Sequence, residues 1–382
     1  MKGTKQILTS FLSLLLLSGC LTSQQQQRDV RNNSNGSGIE YAELLVMEDL
    51  GNGRTLCRIL DPWRTGRNMV QYMLVPKDDK EWNEDVATTF STKYGTSTVL
   101  RTPLTRMTLT TACHTWLLSQ LDALENIAIL CDTAFINAAN IKTWMRTVKP
   151  NGEPTILDGG TATKPNVEVL MAGRSDALWI SPYENANLSN LDRLPIPIIY
   201  CAEYMENTPL ARAEWMKFYG RLVGKGAKAD SLFKAVSTRY ERISKNMGNG
   251  QKILVDMPYG ATWYVPGGCS ASAQLYEDAG YVYPWAEDTH SGSLSLSKEG
   301  VLAQAQDCDL WIIRYMDSNR DWTLADVAGR SDIYRQFKAA REHNVWGCNT
   351  AYSDFFDVSS FRPDTLLKSL IHMDGAFYRK LP

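Results

Sequence analysis

Residues 227–246 read AKADSLFKAVSTRYERISKN. Ala229, Leu232, Phe233, Val236, Tyr240 and Ile243 recur at the three-and-four spacing of one helix face, and Gly248-Asn249-Gly250 stops the pattern. At 1.5 Å per residue such a helix is roughly 30 Å long, about one domain diameter. Gly224 and Gly226 separate it from a preceding helix that Thr208 caps, Pro209 opens, and Trp215 and Phe218 continue. A rigid element of this length in mid-chain predicts a joint between two bodies.

Both flanks support that expectation. On the N-terminal side, short apolar runs at 55–60, 69–75, 106–110, 127–131, 177–181 and 196–201 read as strands, and 114–124, 136–146 and 167–172 as helices. On the C-terminal side the strands are 252–257, 262–265, 310–315 and 345–347, and the helices are 270–279, 297–308, 333–343 and one after Pro363. Strands alternating with helices predict parallel sheets. The expected fold is therefore α/β: two α/β lobes with mainly parallel sheets, 39–207 and 249–382, joined by a helical connector, 208–248, that contains the single long helix. A ligand cleft is expected between the lobes.

The chain opens with Lys2 and Lys5, an apolar run from Ile7 to Leu17, and then Ser18-Gly19-Cys20. A basic start, an apolar core too short to span a bilayer and small residues before a cysteine form a lipoprotein signal, residues 1–19, with Cys20 as the acylated anchor. Residues 20–38, rich in Gln, Asn, Ser and Gly, have little to bury and read as a flexible stalk. The expected location is the extracytoplasmic face of a bacterial membrane, inner or outer. A formal net charge of −2 argues against nucleic acid, which needs a basic stripe. Besides Cys20 there are seven cysteines, an odd number, with no CxxC pair, so no disulfide and no zinc site is expected.

Two segments carry further information. Leu157-Asp158-Gly159-Gly160, Pro165-Asn166-Val167-Glu168-Val169-Leu170 and Arg174-Ser175-Asp176-Ala177-Leu178-Trp179-Ile180 lead through a helix into a strand. Ser297-Lys298-Glu299-Gly300-Val301-Leu302, followed by Cys308-Asp309-Leu310-Trp311-Ile312-Ile313, repeats that order in the second lobe. With the lipobox and the bridging helix, they resemble the substrate-binding lipoproteins of ABC importers, in the cobalamin and iron-siderophore class (class III periplasmic binding proteins). Arg174-Ser175-Asp176 stands where that family has Lys-Pro-Asp. The resemblance covers most of the chain from Leu56 onward.

It implies a monomer that carries no cofactor, catalyses nothing and delivers a metal chelate (a ferric siderophore, cobalamin or haem) to a permease dimer with ATPase subunits. It assigns Glu168 and Glu299 to permease docking, and a first-turn carboxylate is favoured there by the helix dipole. Cleft residues are expected after strands. They are Trp63, Thr110, Thr111 and His114 in the first lobe, and Trp263, Tyr264, Trp285, His290 and Arg314 in the second. The glycines of Pro266-Gly267-Gly268 are expected to let a ligand approach the backbone. The competing readings are an exported hydrolase, for which Cys113/His114 or Cys269/His290 would supply a dyad, and a surface scaffold lipoprotein. The chain lacks G-x-S-x-G and H-E-x-x-H.

Overall fold

The computed structural model describes residues 38–184, 191, 193–244, 250–373 and 375–382. The signal segment 1–19, Cys20, the stalk through residue 37, and Lys245 to Asn249 at the end of the long helix lie outside them. No described helix is long and apolar enough to cross a membrane.

Five parallel strands form the sheet of the first lobe, in the order Ile198–Tyr200, Ala177–Ile180, Met107–Leu109, Ile127–Leu130, Leu157–Asp158. The second lobe pairs Ile253–Val255, Leu310–Tyr315 and Val345–Asn349 in parallel, with Arg379–Lys380 antiparallel at the edge. Most residues of the central strands are fully buried, as sheets covered by helices on both faces require.

The segment before Met107 departs from the expectation of one parallel sheet. Leu45–Gly51, Arg54–Leu60 and Asn68–Pro76 form an antiparallel meander, and Thr98–Thr102 joins it in parallel after the helix Glu84–Tyr94. The turn Gly51-Asn52-Gly53 has φ of 79°, 53° and 72°, the left-handed backbone that closes a tight hairpin. An antiparallel return needs no crossover helix, so these strands make a sheet of their own. Tyr72 fastens it to the parallel sheet: its hydroxyl donates to Ile198 O (2.8 Å) and accepts from Tyr200 N–H (3.0 Å).

The connector comprises Pro209–Glu214, Met216–Leu222 and the long helix Gly226–Ser244. Thr208 caps the first by accepting from Ala211 N–H at 3.1 Å. A Cβ on Gly220 would lie 2.3 Å from the Ala229 Cβ, so only glycine lets the second and third helices approach this closely. Along the long helix, Lys228 pairs with Asp122 of the first lobe (2.5 Å), and Arg239 pairs with Asp364 (2.7 Å) of the second. Tyr240 donates to Asp278 (2.5 Å) of the same lobe. One apolar cluster runs from Ala42 through Trp215 and Phe218 to Leu381, so both lobes share a core through the connector.

Two buried carboxylates hold the chain that enters the first lobe. Glu214, 0% exposed, accepts the backbone N–H groups of Glu40 (2.8 Å), Tyr41 (2.7 Å) and Ala42 (2.9 Å) and the Lys217 ammonium (2.7 Å). Glu206, 1% exposed, accepts from Glu43 N–H (2.9 Å), Leu44 N–H (3.0 Å) and the Trp215 indole (2.8 Å). Burial pushes its carboxyl up to about 7, against the pull of those donors.

Glu214→Ala leaves three amides without an acceptor and a buried ammonium without its counter-charge, held only by the Gly38 carbonyl, and is expected to cost about 3–5 kcal/mol in urea unfolding. Glu153→Ala, which removes an exposed pair with Lys149 (side chains 65% and 42% exposed), is expected to cost under about 1 kcal/mol. Because Glu206 has a raised folded-state pKa, its contribution is fully present below the ordinary carboxyl range and is lost as pH rises through about 7. Glu206→Gln should remove that component, seen as a flatter stability–pH curve between about pH 4.5 and 7.

Candidate functional site

Ligands of parallel α/β sheets sit outside the carboxyl ends of the strands. Two such ends, those of Ile198–Tyr200 and Ile253–Val255, run on to Tyr204 and to Asp256-Met257, and a cavity of about 430 Å³ opens between them. The second lobe also contributes Tyr264, Ser270, Ser272, Ser293 and Arg314, and the connector contributes Arg212. A smaller cavity of about 180 Å³ shares Arg212, Ser272 and Arg314 and is walled by Tyr276, Phe355 and Leu366. The lining of the larger cavity is rich in hydroxyls.

The two arginines are in different states. Arg314 directs its fork at both oxygens of Asp256, with Nε donating to Oδ1 at 2.8 Å, and its guanidinium lies 5.4 Å from the Phe355 ring centre. The bidentate donor that the sequence offered to a ligand is therefore taken by the protein. Arg212 donates one Nη to Ser360 Oγ (2.7 Å), while its buried Nε has no partner among the described residues. A buried unpaired N–H of a guanidinium is costly. This residue lies in a connector helix rather than after a strand, so a search of strand ends passes over it. The signal available was an arginine in a helix that the sequence places between two lobes.

The other predicted residues are distributed as follows. Tyr264 is 48% exposed and lines the cavity, whereas Trp263 is 0% exposed and donates its indole N–H to Val255 O (3.0 Å). Adjacent strand residues point to opposite faces, so one strand cannot offer both rings to the cleft. Trp285 is buried, and the His290 ring is exposed with Nδ1 3.1 Å from each Asp288 oxygen, although its neighbour Ser291 lines the cavity. Thr110 is buried and donates to Trp179 O (2.9 Å). Trp63 lies in the loop before Asn68–Pro76, its amide bonded to Asp61, and lines neither cavity. Gly267 and Gly268 face their own loop, since a Cβ there would come within 2.2 Å of His290 O and 2.3 Å of Asp288 O. Close approach at these glycines thus serves the 285–292 loop rather than a ligand.

His114 is 1% exposed, boxed by Trp179, Tyr219 and Phe361 with ring centres 5.4, 4.9 and 5.9 Å away. Its Nδ1 lies 2.5 Å from Thr111 Oγ1, and its Nε2 lies 3.2 Å from Glu203 Oε1. Burial opposes the charged imidazole, but its acidic neighbours, Cys113 and Glu203 among them, outweigh it and hold its pKa well above the usual range. Burial drives the Glu203 carboxyl up, but His114, Arg212 and the Tyr219 hydroxyl together bring it below its ordinary range. Sulfur, nitrogen and oxygen of Cys113, His114 and Glu203 lie within 4.8 Å of one another, the donor set of a metal-binding group.

Glu168 and Glu299 are exposed in the first turns of Val167–Ala172 and Lys298–Ala305. Asn166 and Ser297 cap those helices by accepting from Val169 N–H (3.3 Å) and Gly300 N–H (3.0 Å). Each helix runs directly into a strand of its parallel sheet, so each carboxylate stands at the carboxyl edge of its sheet, the edge on which the cavity opens. Among the described residues neither is in an ion pair.

This two-lobed architecture matches solved structures. An ABC-type Fe3+-hydroxamate transport protein of Saccharomonospora viridis superposes with a TM-score of 0.58 at 18% identity, over 73% of this chain and 96% of that one. A periplasmic haem-binding protein of Pseudomonas aeruginosa gives 0.54 at 15% identity, over 71% and 92%. A periplasmic vitamin B12-binding protein of Vibrio cholerae gives 0.51 at 13% identity, over 71% and 96%. At these identities the likeness establishes the fold. An uncharacterized lipoprotein of Methanocaldococcus jannaschii is 25% identical over 229 residues, 58% of this chain, and the match spans about half, 53%, of that relative. The sequence profile of periplasmic binding proteins matches residues 124–352, more than half of the 382 residues, and takes in four of the five strands of the first parallel sheet, the connector and the three parallel strands of the second. With two parallel sheets facing one polar cavity across a shared helical joint, the chain belongs to the periplasmic binding protein family, whose members bind solutes and catalyse no reaction.

Proposed function

We propose that this protein captures a hydrophilic, anion-bearing metal chelate, a ferric siderophore ahead of cobalamin or haem, and hands it to the permease dimer of an ABC importer driven by ATPase subunits. The reading is carried by Arg212, whose buried Nε is left without an acceptor where the two cavities meet. An anionic oxygen would complete it with a charge-assisted bond. The hydroxyls of Tyr204, Tyr264, Ser270, Ser272 and Ser293 suit the other oxygens of such a ligand. For haem, His114 is buried and the His290 ring is engaged with Asp288, which leaves Tyr264 as the axial ligand on the cavity. In this reading 39–207 and 249–382 are the lobes and 208–248 the connector. Glu168 and Glu299 meet basic groups of the permease, and Cys20 tethers a monomer to the membrane near that partner.

Titration of the purified protein with anionic ferric siderophores, cobalamin and haemin, followed by tryptophan fluorescence, is expected to give saturable binding of the siderophore class. Arg212→Met should weaken it by roughly 10- to 150-fold, the range of one charge-assisted hydrogen bond. Equal affinity in the variant, or binding of neutral chelates alone, would refute the assignment of Arg212. Reversing both acids, Glu168→Arg with Glu299→Arg, should abolish uptake by cells while the titration stays unchanged. Loss of ligand affinity in that double variant would contradict the docking role.

A further inference from the structure

Cys113, His114 and Glu203 line neither cavity, although they neighbour Arg212: Ser360, which accepts from Arg212, also faces Cys113, and the Arg212 charge acts on Glu203. His114 Nε2 is fully buried and has no hydrogen-bond partner, although Glu203 Oε1 is only 3.2 Å away. The two atoms sit side by side rather than aimed at each other, as two ligands of one cation do. In a tetrahedral zinc site, metal–nitrogen and metal–oxygen bonds of about 2.0–2.2 Å put those two donors about 3.3 Å apart. Cys113 Sγ stands 4.0 Å from Nδ1 of the same ring, and the three residues offer donors within 4.8 Å of one another, so the thiolate would have to turn toward the ion to complete the site. The outer contacts have the arrangement a ligated histidine and carboxylate require. Thr111 Oγ1, 2.5 Å from Nδ1, can take the proton of the opposite ring nitrogen, which leaves the Nε2 lone pair for a metal. Tyr219 donates to the remaining Glu203 oxygen at 2.8 Å. An aromatic wall of Trp179, Tyr219 and Phe361 keeps the bulk of water out.

We infer that Cys113 Sγ, His114 Nε2 and Glu203 Oε1 bind a borderline-soft divalent transition-metal ion of the zinc type, with Thr111 and Tyr219 orienting the ligands. Thiolate, imidazole and carboxylate together select such an ion over magnesium or calcium. The ion would replace a misaligned contact between buried ionisable groups with metal–ligand bonds. Because Phe361 belongs to the second lobe and the three ligands to the first, it would also stiffen the packing between lobes. The ion would bind without the transported chelate, so the metal titration below and the siderophore titration above fail separately.

The test uses the chelator-stripped protein titrated with Zn(II) and, separately, with Co(II). One equivalent of zinc should bind and raise the melting temperature, and cobalt should produce a thiolate-to-cobalt charge-transfer band. Cys113→Ser should abolish that band, while Cys269→Ser, at the exposed cysteine, should retain it. Thr111→Val should keep the band and weaken zinc affinity about 10- to 100-fold. Near-ultraviolet circular dichroism of each variant verifies its fold, and Glu203→Gln, which should lower affinity with the thiolate band retained, supplies a second probe that leaves the sulfur in place. Absence of stoichiometric binding to the stripped wild-type protein would overturn the inference. So would a cobalt band that survives Cys113→Ser, since the thiolate ligand would then lie elsewhere.

Discussion

The two short helices of the connector, Pro209–Glu214 and Met216–Leu222, are almost wholly buried and yet carry charge, and that combination constrains the whole molecule. Trp215, Met216, Phe218, Tyr219 and Leu222 are all 0% exposed, and Glu203, Glu206, Glu214 and Lys217 are interleaved with them. Charges removed from water must be paired. The partners come from far along the chain: amides of residues 40–44 for Glu206 and Glu214, the Gly38 carbonyl for Lys217, and His114 with Tyr219 for Glu203. Satisfying four buried charges therefore brings the start of the first lobe onto the connector. The apolar residues around them then merge the two lobes into one core.

The same constraint shapes the cavity. Arg212 enters it from a helix whose other groups are committed to the core, so its guanidinium has few acceptors within reach. Only Ser360 accepts from it among the described residues. Arg314 sits at the end of a strand, where the neighbouring strand ends in Asp256, which adopts the left-handed backbone at φ 57° and takes both guanidinium branches. Two arginines on one cavity thus differ in availability because of the elements that present them. Charge placed on a crowded helix keeps an unused donor, whereas charge on adjacent strand ends is neutralised within the protein.

Much of this was legible from local pattern. The strand Leu310–Tyr315, the helix Val167–Ala172, the Thr208 and Ser270 caps and the face of the long helix follow from apolar spacing and cap chemistry over a few residues. The antiparallel meander was also written locally, in Gly51-Asn52-Gly53, but a search for alternating strands and helices does not weigh a hairpin turn. Trp263 could likewise have been separated from Tyr264 by the period of two within a strand. Other features had no local signal. Glu203 follows a short strand with nothing in its neighbours to announce that it meets His114, which lies 89 residues earlier.

Sequence by itself determined the α/β class, the helical joint between two lobes and the acidic first turns at Glu168 and Glu299, because each is a property of residues adjacent along the chain. Tertiary structure decided which side chains reach the cavity, that Arg212 rather than Arg314 keeps a free donor there, and that Cys113, His114 and Glu203 share one buried point. The physical reason is that burial and pairing are long-range: whether a histidine or an arginine faces a ligand, a carboxylate or an aromatic wall depends on which distant segments the core draws against it.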